Sequence, residues 1–454
     1  MIQSDYERLE ALYDASQASL PVAEGLPALA TAVHFGTNRH RPVHRWFHFK
    51  EGFSADLLHA LGIDTRTMSD PGSIFLDPFC GSGTTLLAGD LEHRWCGQRF
   101  GLEINPFIGF VADTKIQWRE YSADRFVQFA EEALASPLSI DADGAVIPAL
   151  STFHNPDIFE PSRLNELLNA VDRIKRLDSP EQAPLLLGIA AATERIGYFR
   201  RDGRALRILR GPKDLSDRIS LTVADALRTS WSMIAEDLAF LEPLQNDKPV
   251  GSGQVIIDDG RAPTSPDLSA FRSEVELIAY SPPYLNHIDY TEVYKVELWL
   301  LGLVKSQSEM LALRKRTLRS HASIGISPSS PALPIDVEEA VTLASGMIIN
   351  HGSAWHRSFQ RLAFAYLEDM YLSLQQQFSF LRPGGKAICV VANSAHGAKD
   401  HRVPVAVDIW IAKLAEATGF HVEQFAVARQ LARRNHINRF LRETAIVLRR
   451  PEIS

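Results

Sequence analysis

Ser281-Pro282-Pro283-Tyr284 gathers a hydroxyl, several carbonyls and an aromatic ring into four residues. The apolar run 275–280 before it reads as a strand entering a buried sheet. Neither proline can donate a ladder hydrogen bond, so the strand must end there in a rigid, extended loop. Open α/β sheets bind their ligands outside the carboxyl ends of strands. Oxygens in such a loop would accept from an exocyclic amine, and the ring would stack on a flat base. A strand-capping turn is the alternative that these four residues alone leave open.

A second stretch would have to hold the other reactant. Asp77-Pro78-Phe79-Cys80-Gly81-Ser82-Gly83-Thr84-Thr85 follows a short apolar run, 73–76, and precedes a helical stretch, 86–91. Strand, glycine turn and helix open a nucleotide-binding α/β unit. The glycines let backbone approach a ligand closely, and the helix N-terminus offers free N–H groups. The third glycine of the dinucleotide fingerprint is missing, as is the Gly-Lys-Ser/Thr of a P-loop. A pyrophosphate is therefore disfavoured, and S-adenosylmethionine (SAM), whose polar end is an amino acid, suits the loop better. Glu103 closes a second predicted strand, 95–103, about 20 residues past the glycines, where an acid accepts from ribose hydroxyls. Ile104 beside it would pack on an adenine face. A solvated charge at a strand end is the alternative for Glu103.

Composition bounds the rest. A length of 454 residues exceeds one typical domain, and 45% hydrophobic with 22% charged residues is ordinary for a globular protein. The net charge of -8 weighs mildly against a nucleic-acid enzyme, although binding depends on local patches. The three cysteines, Cys80, Cys96 and Cys389, form no Cys-x-x-Cys pair, which argues against a thiolate zinc site and a disulfide framework. With no leader pattern at Met1–Glu7 and no apolar run of roughly 20 residues, a cytoplasmic protein free of the membrane is expected. His-rich metal spacing is absent, so no metal is expected.

Together these motifs resemble the amino-methyltransferases of DNA, SAM-dependent enzymes that methylate an exocyclic amine. Residues 77–85 look like their SAM-binding motif, Glu103 like their ribose-binding acid, and 281–284 like their catalytic tetrapeptide. His44-Arg45-Trp46-Phe47-His48-Phe49-Lys50-Glu51-Gly52-Phe53-Ser54 is similar to the segment that closes over SAM. Gln254-Val255-Ile256-Ile257-Asp258-Asp259-Gly260 resembles the strand whose terminal acid sits near the adenine. Leu381-Arg382-Pro383-Gly384-Gly385-Lys386 and the strand after it complete the likeness. The resemblance implies an α/β fold, a doubly wound, mostly parallel Rossmann-like sheet. It implies SAM contacts from Phe49, Phe53, Ser54, Asp77, Phe79, Gly81, Gly83, Thr84, Glu103, Ile104, Asp258 and Asp259. Catalysis would fall to Ser281, Pro282, Pro283 and Tyr284 on a base flipped out of double-stranded DNA. Serine at the first catalytic position leans toward cytosine N4, whereas Asp or Asn leans toward adenine N6. The glycine motif precedes the catalytic one here, an order reversed in many Ser-Pro-Pro members, so no named subclass follows. The rivals are an adenine N6 enzyme, a methyltransferase of RNA or of a protein amide, and a non-catalytic SAM-binding subunit. A restriction endonuclease or defence-complex subunit is the protein partner such a resemblance implies.

Three parts are expected: an N-terminal SAM-binding part, 1–120; a helical insertion, 121–250; and a catalytic part, 251–454, with an inserted loop near 305–355. Leu164, Leu167, Leu168, Val171 and Ile174 repeat at helical spacing, as do Ile219, Val223, Leu227, Ile234 and Leu238. Between these helices Asp202-Gly203 signals a hairpin turn crowded by Arg200, Arg201, Arg204 and Arg207 beside Tyr198 and Phe199. Cations for phosphates beside rings for bases is a nucleic-acid pattern. Arg314 and Arg316 form a second basic cluster, with Ser327–Pro334 after it as a Pro/Ser-rich loop, and Arg429, Arg433, Arg434, Arg439 and Arg442 form a third. Plain surface charge is the alternative for each. His287, Asp289 and Tyr290, just past the tetrapeptide, are candidates to line a base pocket.

Overall fold

The computed structural model describes residues 2–49, 52–138, 158–201, 206–245, 251–285, 288–321, 333–351, 357–398, 401–431 and 438–452. Its strands, in chain order, are β1 Val22–Ala23, β2 Ile74–Asp77, β3 Gln98–Leu102, β4 Phe199–Arg201, β5 Leu206–Ile208 and β6 Gly253–Ile256. They continue with β7 Val275–Tyr280, β8 Leu381–Ala392, β9 Ser394–Ala398, β10 His401–Val405, β11 His421–Gln430 and β12 Arg442–Arg449. Among the described residues, eight of them form one sheet in the order β1-β11-β12-β8-β7-β2-β3-β6. Every neighbouring pair is parallel except those of β12, which runs antiparallel to both β11 and β8.

Side chains alternate across the sheet, and the alternation divides the core in two. Leu76, Ile278, Cys389 and Ile446 face a cluster that includes Tyr366 and Trp410, from the helices Phe359–Phe380 and Val407–Thr418. Phe75, Leu277, Ile388 and Ala445 face the other way, against Leu86 and Ala112 from the helices Thr84–Leu91 and Pro106–Ile116. Burial on both faces is why β7 and β12 read as nearly continuous apolar runs. This is the doubly wound, mostly parallel α/β architecture that the strand and turn signals predict.

The insertion is helical as its spacing predicts, with helices Pro161–Lys175, Gln182–Ile196 and Val223–Gln245. Leu164, Leu167, Val171 and Ile174 bury in one cluster with Trp46, Phe47 and Phe107. One detail differs. Ile219 does not continue into the next helix; it ends the helix Pro212–Ile219 and is 60% exposed. Thr222 Oγ1 accepts from Asp225 N at 3.1 Å and so caps a fresh start at Val223. The 305–355 stretch, read as a loop, carries the helices Gln307–Arg316 and Ile335–His351. Val337, Val341, Ala344 and Ile348 sit one turn apart and bury against the main core, which gives the second helix its reason to form. The expected turn in β4–β5 is flanked by antiparallel strands, but Asp202, Gly203 and Arg204 lie outside the described residues, as do His287, Ser327–Ser330, Arg433 and Arg434. Among the described residues no helix is long and apolar enough to cross a membrane.

Candidate active site

β2 ends at Asp77, and the glycine loop after it is held mainly through its own backbone N–H groups, which give to two carboxylates and a strand carbonyl. The Asp77 carboxylate accepts from Phe79 N at 3.1 Å and from Thr85 Oγ1, tying the loop's start to the helix that follows. Cys80 N donates to Leu102 O at 2.9 Å, which docks the loop on β3. Glu103, just past β3, accepts from Gly81 N at 3.1 Å and from Asn105 N at 2.9 Å. Gly83 adopts φ +78°, and a Cβ there would stand 3.1 Å from Ala112 Cβ, so the position needs glycine for conformation and for space. Burial outweighs these hydrogen bonds and pushes the carboxyls of both Asp77 and Glu103 up to about 7.

β7 lies beside β2, so its carboxyl end opens next to the glycine loop. Phe79, Gly81, Glu103, Asp258, Ser281 and Tyr284 wall a single cleft of about 790 Å³, mouth included. A smaller cavity adjoins it, sharing Phe49, Phe79, Gly81 and Ser281 and adding Phe53, Asp77 and Thr84. Within the tetrapeptide, Ser281 Oγ donates to Tyr284 Oη at 3.0 Å, and Tyr284 Oη donates to Glu443 Oε1 at 3.1 Å. Arg429 Nε closes the chain on Glu443 Oε2 at 2.8 Å.

The predicted SAM contacts divide by place. Phe49, Phe79, Gly81, Glu103, Ile104, Asp258 and Asp259 line the main cleft, as do Pro282 and Pro283. Gly83 and Ser54 line neither cavity: Gly83 packs against Ala112, and Ser54 is buried, 2.6 Å from Thr37 Oγ1 and 3.0 Å from Asp56, where it shapes the segment that carries Phe53. Asp258 accepts from the backbone N of Asp259, Thr264 and Ser265 at 2.7–2.8 Å. Burial alone would raise its carboxyl, but these N–H groups hold it below the usual range. Asp259 pairs with Arg261 at 2.6 Å.

The basic candidates divide more sharply. Arg200 and Arg207 face each other directly across β4 and β5, both exposed. Arg200 also lines a groove with Arg39, Arg45 and His48. Arg316 reaches the main cleft. Arg201, by contrast, is buried against Glu194, at 3.1 Å, and Glu297. Arg314 pairs with Asp289 at 2.9 Å and with Glu292. Asp289 caps the short helix after the tetrapeptide, while Tyr290 lines the cleft and stacks on Phe49 with centroids 6.2 Å apart.

Two residues at the site carry no signal that the motifs provide. Asn105 lines the cleft, caps the helix Pro106–Ile116, and has a buried Nδ2 with no hydrogen-bond partner among the described residues. The Asn-Pro pair predicts the cap but not the spare donor. Glu443 reads in sequence only as one residue of a strand.

No family model matches the chain. Type II methyltransferase M.AvaI, from Nostoc sp. and from Anabaena variabilis, is 25% identical over 92% of this chain and 89% of the relative. Type II methyltransferase M.BsoBI from Geobacillus stearothermophilus is 24% identical over 86% of this chain and 80% of the relative. The protein that brings a glycine loop and a Ser-Pro-Pro-Tyr loop to one cleft is thus similar, over most of its length, to Type II methyltransferases.

Proposed function

We propose that the protein is a site-specific DNA methyltransferase that moves a methyl group from SAM to an exocyclic amine, cytosine N4 by the lean of Ser281. The convergence of the two motifs on one cleft carries this reading, because it sets a nucleotide-type loop beside oxygens suited to an amine. The residues fit SAM. Gly81 leaves room for close approach, Glu103 suits ribose hydroxyls, and the unpartnered Asn105 Nδ2 is a donor in want of an acceptor. SAM supplies an activated methyl sulfonium, so the protein's contribution is mainly orientation. Ser281 Oγ and the Pro282 carbonyl accept from the amine and turn its lone pair toward the methyl group. The Tyr284 ring, fixed through its hydroxyl, sets the plane of the base.

DNA is favoured by the Arg200–Arg207 pair. Like charges directly opposite on a hairpin are destabilising, and a phosphate between them relieves the repulsion. Arg316 at the cleft adds a cation near the flipped nucleotide. A partnered restriction endonuclease belongs to the same proposal.

Incubation with methyl-labelled SAM and DNA, RNA or protein, followed by digestion to nucleosides, tests the reading. Label in N4-methylcytosine is expected. Label in N6-methyladenine changes the base but keeps the reaction, whereas label confined to RNA or protein overturns the DNA assignment. Binding of SAM with no label anywhere would favour a non-catalytic subunit.

A further inference from the structure

The hydrogen-bond chain behind Ser281 has a direction. A guanidinium only donates, and Arg429 Nε gives to Glu443 Oε2 at 2.8 Å. The other carboxylate oxygen has no hydrogen to offer, so Tyr284 must donate to it, which commits the one phenolic hydrogen. Tyr284 Oη is then left to accept from Ser281 Oγ, which commits the single serine hydrogen. Ser281 borders both cavities, and with its hydrogen turned away it offers them lone pairs alone. An N–H aimed at those lone pairs is welcomed, while a carbonyl oxygen in the same place is repelled.

We propose that Glu443, oriented by Arg429, is a positioning residue that sets the polarity of the Ser281–Tyr284 pair. It thereby selects bases with an amine over bases with an oxo group at the same position, and it receives the proton that the amine releases. The inference rests on the methyl-transfer reading above. In the transfer, the carbon–sulfur bond breaks with its electron pair left on sulfur, and the amine lone pair forms the carbon–nitrogen bond. The nitrogen then carries the positive charge and one proton too many. That proton passes to Ser281 Oγ as the serine hydrogen passes to Tyr284 and the tyrosine hydrogen to Glu443. The cationic nitrogen and the carboxylate both end neutral, so charge balances without another reactant.

Glu443 is placed for this part. It sits on β12, 4% exposed, between β8 and β11. The titratable groups that act on it are Arg429 from β11, Tyr284 from the loop after β7, and His34 from the N-terminal region. Burial raises its carboxyl above the ordinary range, and Arg429 opposes that rise. A proton acceptor is more basic than a solvated glutamate, and the Arg429 guanidinium at 2.8 Å favours the carboxylate form that the acceptor role requires.

Three forms of the full chain decide the matter: wild type, Glu443→Gln and Tyr284→Phe. Single-turnover methyl transfer would be followed against pH, with dissociation constants for SAM and DNA measured in parallel. In Glu443→Gln, Arg429 keeps the amide oxygen, so the amide N–H faces Tyr284 and the chain reverses. Tyr284→Phe keeps the ring and removes the link. Each should lose on the order of 10²-fold in transfer rate while both dissociation constants hold within about twofold. The wild-type fall in rate toward acid pH should vanish from the residual activity of Glu443→Gln. Wild-type rates and an unchanged acid limb in the variants would overturn the inference alone. Were Glu443→Gln not to fold, Tyr284→Phe at the wild-type rate would do the same. No methyl transfer by the wild type to any amine would overturn the reading and the inference together.

Discussion

The two walls of the cleft are built by opposite means. The glycine loop is a local structure: Phe79 N, Gly81 N and Cys80 N all bond within one strand–turn–helix unit and its neighbouring strand. The Ser-Pro-Pro-Tyr loop leans on a side chain 159 residues away, through Tyr284 and Glu443. The first wall is fixed by backbone N–H groups on carboxylates close by in the fold, the second by hydroxyls on a carboxylate from a distant strand. On the proposed function, binding would belong to the first and reactivity to the second.

Substitutions in each wall can break that contrast. Ser281→Ala removes the acceptor and leaves the shape, so methyl transfer should fall on the order of 10²–10³-fold while SAM affinity, by calorimetry, is kept. Equal loss of both would erase the distinction. Gly83→Val should do the opposite: with φ at +78° and Ala112 in the way, it should lose SAM binding and about 1–3 kcal/mol of stability, read by thermal melting. A pH effect sharpens the same contrast. With its carboxyl held at about 7, Glu103 is part-protonated near neutrality in the free protein, and ribose hydroxyls favour the ionised form. SAM binding near pH 7 should therefore release protons, detected as a dependence of the heat on buffer ionisation. The sign for stability follows. A raised carboxyl favours folding fully below its ordinary value of 4.5, and this contribution fades as pH climbs through about 7. Glu103→Gln should remove both effects.

A smaller contrast separates the two basic segments. Arg200→Ala or Arg207→Ala should each reduce the salt dependence of DNA binding by about one unit of slope and leave transfer at saturating DNA unchanged. Arg314→Ala should leave the slope alone and lower the melting temperature, because the buried Asp289 would lose its guanidinium partner.

What the sequence makes legible follows from the same division. β2, β3 and β7 announce themselves as apolar runs, and the glycine loop by its spacing. Each depends on near neighbours in the chain. Helix Ile335–His351 is hidden by the Pro/Ser-rich stretch before it, and its apolar turn makes sense only against a core supplied by distant helices. Arg201 and Arg314 look like surface cations because Glu297 and Asp289, which neutralise them, carry no mark of the pairing. Glu443 is the extreme case. Its strand alternates as any strand does, and nothing beside it refers to Tyr284.

The antiparallel β12 has a further bearing, on how the protein is made. Chains are synthesised amino end first, so residues 442–449 emerge after every other strand of the sheet, yet they belong between β8 and β11. Until they arrive, those two strands present bare edges, and the phenol at 284 has no carboxylate to lean on. A growing chain can assemble its glycine loop early and still lack the Tyr284–Glu443 hydrogen bond. On the proposed function, completion of the sheet and competence for the reaction would therefore coincide.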